Sequence, residues 1–171
     1  MSADGVDMTC GAAGSLTITL NALCEKGDEF VVVTPCFPEY AVFIESAGGK
    51  VVRAAAGREF HLDMQALDRA IGVHTKGVVI NSPNNPTGAV YSEEELAALA
   101  ALLEQKSREK GSPVFLISDE PYRELTYGAK VPYPMAFYPD TVVCYSFSKS
   151  LSLAGERIGY IAVSPQCRGA A

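Results

Sequence analysis

The residues that could do chemistry gather in one stretch, Ser146-Phe147-Ser148-Lys149, with Arg157 eight residues on. It directly follows Thr141-Val142-Val143-Cys144-Tyr145, an apolar run that reads as a buried strand. An amine just past a strand end, flanked by hydroxyls and backed by a guanidinium, could hold a phosphate-bearing carbonyl compound. Lys149 could form a Schiff base with the carbonyl. Ser146, Ser148 and Arg157 could hold the phosphate, the arginine through paired, charge-assisted hydrogen bonds. A surface lysine in a polar loop is the plainer reading of the same residues, and for an isolated Ser-Lys pair it is the better one.

Four other groups stand in equivalent places. Gly11-Ala12-Ala13-Gly14-Ser15 follows the strand-like run Val6 to Cys10, and a glycine turn that opens a helix offers free backbone N–H groups and the positive end of the dipole to an anion. Phe37 follows the apolar run Glu29 to Thr34. Asn85 lies in Ser82-Pro83-Asn84-Asn85-Pro86-Thr87-Gly88, a dense loop signal after Gly77 to Asn81. Asp119 and Tyr122 come at once after Pro113 to Ser118. Each signal alone is weak, because glycines open many helices, Asn-Pro pairs fill many loops and a lone aromatic is usually core.

The elements that must position them read clearly. Glu29–Thr34, Gly77–Asn81, Pro113–Ser118 and Thr141–Tyr145 are nearly uninterrupted apolar runs, as in strands buried on both faces, Lys50–Ala54 is a further strand and Ile158–Val163 is a last one. Helices are predicted over Leu16–Lys26, Glu39–Ala47, Met64–Ile71 and Ser92–Lys110, and Phe60–Asp63 is predicted to be extended. The Ser92 helix has a capping box with Glu95, a core stripe of Leu96, Leu99 and Leu103, and a stop at Gly111. Strand alternating with helix implies an α/β fold with a largely parallel sheet. In such sheets ligands bind beyond the carboxyl ends of the strands, and all five groups sit there. An amine, a phosphate nest, a carboxylate, a phenol, an amide and a flat aromatic on one sheet edge suit a pyridoxal phosphate site.

Composition narrows the classes. The 171 residues carry 14 basic and 20 acidic side chains, a net charge of −6, which argues against nucleic-acid partners. No run approaches the length of a membrane helix. Met1 to Gly5 has neither the basic nor the apolar region of a signal peptide, so a cytoplasmic location is the expectation. The five cysteines show no metal-ligand spacing, their odd, scattered placement suits a reducing compartment, and Cys24 and Cys144 read as small buried hydrophobes. No metal site is expected.

With order and spacing preserved, these motifs resemble the class I/II aminotransferases among the fold-type I pyridoxal-phosphate enzymes. The matching pieces are Gly11-Ala12-Ala13-Gly14-Ser15-Leu16, Pro35-Cys36-Phe37-Pro38-Glu39-Tyr40, Asn84-Asn85-Pro86-Thr87-Gly88, Ser118-Asp119-Glu120-Pro121-Tyr122, and Ser146-Phe147-Ser148-Lys149 with Gly155-Glu156-Arg157-Ile158-Gly159-Tyr160. The resemblance covers about Cys10 to Val163 and implies a three-layer αβα sandwich with a mostly parallel sheet. It implies that Lys149 forms the Schiff base with pyridoxal 5'-phosphate and, once displaced, acts as a base. It further implies that Asp119 pairs with the protonated ring nitrogen, Tyr122 and Asn85 donate to the ring's 3-oxygen, and Phe37 stacks on the ring. The backbone of Gly11, Ala12 and Ala13 would hold the phosphate with Ser146, Ser148 and Arg157. Amino acid and 2-oxo acid are the implied substrates, and a homodimer the implied assembly.

Full members of that family are longer. Residues 1–171 are therefore expected to be the cofactor-binding large domain, incomplete, without an N-terminal arm or a C-terminal small domain, and no arginine here matches the family's grip on the substrate carboxylate. A carbon–sulfur β-lyase or a decarboxylase on the same scaffold would use Lys149, Asp119 and Tyr122 equally well. A non-catalytic, aminotransferase-like ligand-binding module is a further alternative.

Overall fold

The structure, a computed structural model, describes residues 5–169. Met1 to Asp4, most of the segment read above for a signal peptide, lie outside these residues, as do residues 170 and 171 of the expected domain. Seven strands form one sheet: β1 (Val6–Thr9), β2 (Glu29–Thr34), β3 (Lys50–Ala55), β4 (Thr75–Asn81), β5 (Phe115–Asp119), β6 (Thr141–Ser146) and β7 (Gly159–Val163). Their spatial order is β1-β7-β6-β5-β4-β2-β3. From β3 through β6 neighbours pair parallel, and β7 lies antiparallel between β6 and β1.

The continuous apolar runs have a simple cause. Each central strand is covered on both faces, so successive side chains all enter a core. On one face α1 (Gly11–Leu23) and α2 (Tyr40–Ser46) set Leu16, Leu20, Tyr40 and Ile44 against Phe30, Val32, Val79, Ile117 and Cys144. On the other, α3 (Met64–Ala70) and α4 (Glu93–Lys110) set Leu67, Leu96, Leu99 and Leu103 against Val31, Val33, Val78, Ile80 and Leu116. The predicted three-layer sandwich is present. No helix among the described residues is long and apolar enough to cross a membrane.

The capping box forms as read. Ser92 Oγ accepts from Glu95 N at 3.2 Å and Glu95 Oε2 accepts from Ser92 N at 2.8 Å. The other oxygen of Glu95 accepts from Leu62 N at 2.8 Å, so the cap also pins the segment leading into α3.

The structure differs from the sequence reading in several places. α1 begins at Gly11, not Leu16, and ends at Leu23. Gly11 to Gly14 are too small to show an apolar period, yet Ser15 is fully buried, donating to Gly11 O at 3.3 Å and Tyr160 O at 3.1 Å, which locks the first turn. Arg58–Phe60 forms one 3-10 turn, so the expected extended segment loses its first residue. Cys144 is buried, whereas Cys24 is only half-buried at the end of α1.

One close approach joins β7 to the start of α1. A Cβ on Gly159 would run into the Tyr145 carbonyl oxygen and lie 2.7 Å from Gly11 Cα. Backbone meets backbone here, and neither side can yield as a flexible side chain would. Gly159→Ala is expected to cost about 3 kcal/mol of stability in urea unfolding, by overpacking. Gly155→Ala, which meets nothing within 4 Å, should leave the midpoint nearly unchanged.

Candidate functional site

The carboxyl ends of β1, β2, β4, β5 and β6 open onto one cavity of about 530 Å³. Ala12, Ala13, Phe37, Asn85, Asp119 and Tyr122 line it, together with Ser146, Ser148, Lys149 and Arg157. Gly11 stands just behind the lining: a Cβ there would lie 3.0 Å from Arg157 Nη2 and 3.5 Å from Ser146 Oγ. All eleven residues singled out in the sequence are thus brought together.

Asp119 closes β5 and is 5 % exposed. Its Oδ2 accepts from Tyr40 Oη at 2.6 Å, while Oδ1, equally buried, has no hydrogen-bond partner among the described residues. Burial pushes the carboxyl up to about 7, the Tyr40 bond opposes that rise and the neighbouring Glu120 charge adds to it. The Tyr40 phenol is itself held well above its usual range by burial and then by the Asp119 charge, so it donates. An unsatisfied buried carboxylate oxygen is costly and rare in a native fold. A cationic N–H placed against Oδ1 would relieve it. Phe37 meets the Tyr40 ring edge-on, with centroids 5.6 Å apart and an interplanar angle of 80°.

Next to Asp119 a second carboxylate is fully paired. Glu120, 2 % exposed, accepts from Ser118 Oγ at 2.7 Å and pairs with Arg123 Nε at 2.5 Å. Arg123 donates on to Val131 O and Pro132 O and lies 4.0 Å above the Tyr133 ring. This pair fixes the turn that carries Tyr122. Burial, and then the Asp119 charge, raise the Tyr122 phenol above its ordinary value.

Lys149 lies in α5 (Phe147–Ser150), a single turn capped by Ser146 Oγ accepting from Ser148 N at 3.2 Å. Its Nζ is 6.0 Å from the Tyr122 ring centroid. The residue is exposed and lines the cavity. Tyr145 Oη donates to Glu124 Oε2 at 2.8 Å and lies 2.7 Å from Ser150 Oγ, which latches α5 to the Tyr122 turn.

The anion cradle is built from α1, Ser146 and Arg157. The N-cap of α1, Cys10, makes no side-chain capping bond, and the first turn carries no acidic residue. The helix therefore presents its positive end, with Ala12 and Ala13 at the cavity wall. Arg157 sits in the left-handed region at φ 54°, a conformation disfavoured for a residue with a side chain and typical of functional sites. Its guanidinium is tethered by Nη1 to Ala154 O at 3.0 Å and by Nη2 to Cys10 O at 3.3 Å. Gly11 (φ 79°) leaves room for it.

The sequence reading assigned nothing to Tyr40, Asn81, Glu120 or Arg123. Two signals were available. Tyr40 and Ile44 share the buried face of α2, where a phenol needs a partner, and Asn81 is a polar end to an otherwise apolar strand.

The chain is similar over most of its length to known proteins. The family model for aminotransferase class I and II matches residues 2–171. A probable aspartate aminotransferase of Methanocaldococcus jannaschii is 34% identical over 163 residues, covering 95% of this chain and 42% of that protein. A probable N-acetyl-LL-diaminopimelate aminotransferase of Bacillus subtilis is 38% identical over 157 residues, covering 90% and 38%. The crystal structure of an amino transferase from Eubacterium rectale superposes with a TM-score of 0.97 at 52% identity, covering 98% of this chain and 43% of that one. The chain thus spans about two fifths of the length of the proteins it matches.

Asp119 gives a pH test. Its folded value of about 7 lies above the ordinary 3.8, so the folded chain keeps a proton that the unfolded chain releases. The contribution is full below about pH 4 and is lost as pH rises through about 7. The urea midpoint of the parent should fall more steeply over that window than that of Asp119→Asn. Equal slopes would contradict the raised carboxyl.

Proposed function

Because the chain belongs to the aminotransferase class I and II family, we propose that it forms the pyridoxal-phosphate-binding large domain of an enzyme that moves an amino group between an amino acid and a 2-oxo acid. One observation carries the reading: a buried carboxylate oxygen without a partner lines the cavity that also holds an amine and an anion cradle. The family relatives act, by their names, on different amino acids, and amino-group transfer is what those names share. The whole enzyme is read as a homodimer, as its family resemblance implies.

Pyridoxal phosphate fits the residues present. Its protonated ring nitrogen would satisfy Asp119 Oδ1, the atom the fold leaves bare. Its phosphate would lie against the α1 N-terminus, Ser146, Ser148 and Arg157, which line the cavity beside Ala12 and Ala13. Phe37 would cover one ring face, and Asn85 and Tyr122 would donate to the 3-oxygen. When bound, the cofactor supplies a carbonyl that captures amines and a ring that withdraws electrons from the carbon bearing the amino group.

The chain's own groups divide the remaining work. Asp119 would hold the ring nitrogen in its protonated form, and Tyr40 orients the carboxylate through its hydrogen bond. Arg157 and the α1 N-terminus would hold the phosphate end and so limit how the group can turn in the cavity. Lys149 Nζ would hold the carbonyl compound and, when free, would move the proton at the substrate Cα. Its exposure leaves it open to substrate.

Two measurements bear on this. Added pyridoxal phosphate should give the parent a visible absorbance band, and borohydride should fix the compound on the peptide containing Lys149. Lys149→Ala should show neither. A band that survives the substitution, or never forms in the parent, would remove the assignment. Arg157→Ala should weaken pyridoxal phosphate binding roughly 10- to 100-fold while leaving the weaker binding of pyridoxal nearly unchanged.

A further inference from the structure

Asn81 is the last residue of β4 and stands in register with Asp119, the last residue of β5. It is 2 % exposed. Its amide uses both ends. Nδ2 donates to Asp119 O at 2.8 Å, and Oδ1 accepts from Asn85 N at 2.6 Å. Both partners are residues of the site. Beyond Asn81 the chain enters Ser82-Pro83, and proline has no N–H with which to continue the ladder. The side chain of Asn81 supplies the donor there.

The loop that follows is bonded mainly to itself. Asn84 N donates to Ala89 O at 2.9 Å, Gly88 N to Asn84 O at 2.7 Å, Thr87 Oγ1 to Asn84 Oδ1 at 2.9 Å and Tyr91 N to Ser82 Oγ at 3.0 Å. These bonds make the loop a unit without saying where it sits over the sheet. Asn81 ties that unit, at Asn85, to the strand end that carries Asp119.

We propose that Asn81 is a positioning residue that holds Asn85 and Asp119 at a fixed separation, so that both can address one rigid ring at once. The inference rests on the cofactor reading above. In that reading Asp119 and Asn85 meet different atoms of the same planar group. If their spacing drifts, one contact is made at the expense of the other, and binding loses the benefit of making both. A single buried amide bonded to both residues removes that freedom. A simple strand-end role would satisfy the same backbone groups but would not couple Asn81 to the Asn85 side chain.

A double-mutant cycle in cofactor affinity separates the two roles. Pyridoxal phosphate is titrated into the parent, Asn81→Ala, Asn85→Ala and the double variant, and its dissociation constant is read from the visible band. Urea midpoints of the cofactor-free proteins show that each is folded, and Asn81→Ser, a smaller cut in the same bond pair, carries the cycle if Asn81→Ala does not fold. Each single substitution should weaken binding roughly tenfold, and the double variant should be little worse than either. Losses that multiply to roughly a hundredfold would overturn the proposal, as would Asn81 variants that bind like the parent. A parent that does not bind pyridoxal phosphate would overturn the cofactor reading, and this inference with it.

Discussion

A carboxylate with one oxygen satisfied and the other bare is the constraint on which this site depends. Asp119 is carried into the interior by β5, the middle strand of the seven-stranded sheet. The fold meets half of its demand through Tyr40, and the other oxygen has no partner among the described residues, in a side chain that lines the cavity. Burial alone would favour the neutral acid. A cation at Oδ1 reverses that preference, so a bound ring nitrogen and the ionised carboxylate stabilise each other.

The surrounding structure serves mainly to hold this cavity in shape. Three separate ties join the strand ends across it. Asn81 connects the Asn85 loop to β5, the Glu120–Arg123 pair anchors the Tyr122 turn, and Tyr145 with Glu124 and Ser150 latches the Lys149 turn to it. At the anion end the tie is steric. Gly159 and Gly11 let two backbones touch, which brings the first turn of α1 beside Ser146 and Arg157. The exposed segments that carry Lys149 and Arg157 thus rest on buried contacts, which is how loop residues gain the fixed geometry that chemistry requires.

The sheet was legible in the sequence because strands covered on both faces must be apolar throughout, as Phe30 to Val33 and Val78 to Ile80 are. α4 was legible to its ends because Ser92 and Glu95 write their cap into the sequence. The first turn of α1 was not, because Gly11 to Gly14 have no side chains with a period to read. All eleven candidate residues converge on one cavity, since parallel strands must end on the same edge. The residues behind them were hidden for another reason. Tyr40 and Asn81 act through partners 79 and 38 positions away, so the local signals, a phenol on a buried helix face and a polar end to an apolar strand, do not say which residue each one serves. Lys149 read alone could be a surface lysine, and only the placement of α5 shows it both exposed and lining the cavity.

The central claim is that Asp119 Oδ1 is the seat of a ring nitrogen. Its most direct test compares the affinity of pyridoxal phosphate with that of the analogue carrying carbon in place of that nitrogen, in the parent and in Asp119→Ala. The parent should bind pyridoxal phosphate the more tightly, and Asp119→Ala should lose the preference. Equal affinities in the parent, or a preference that survives the substitution, would contradict it.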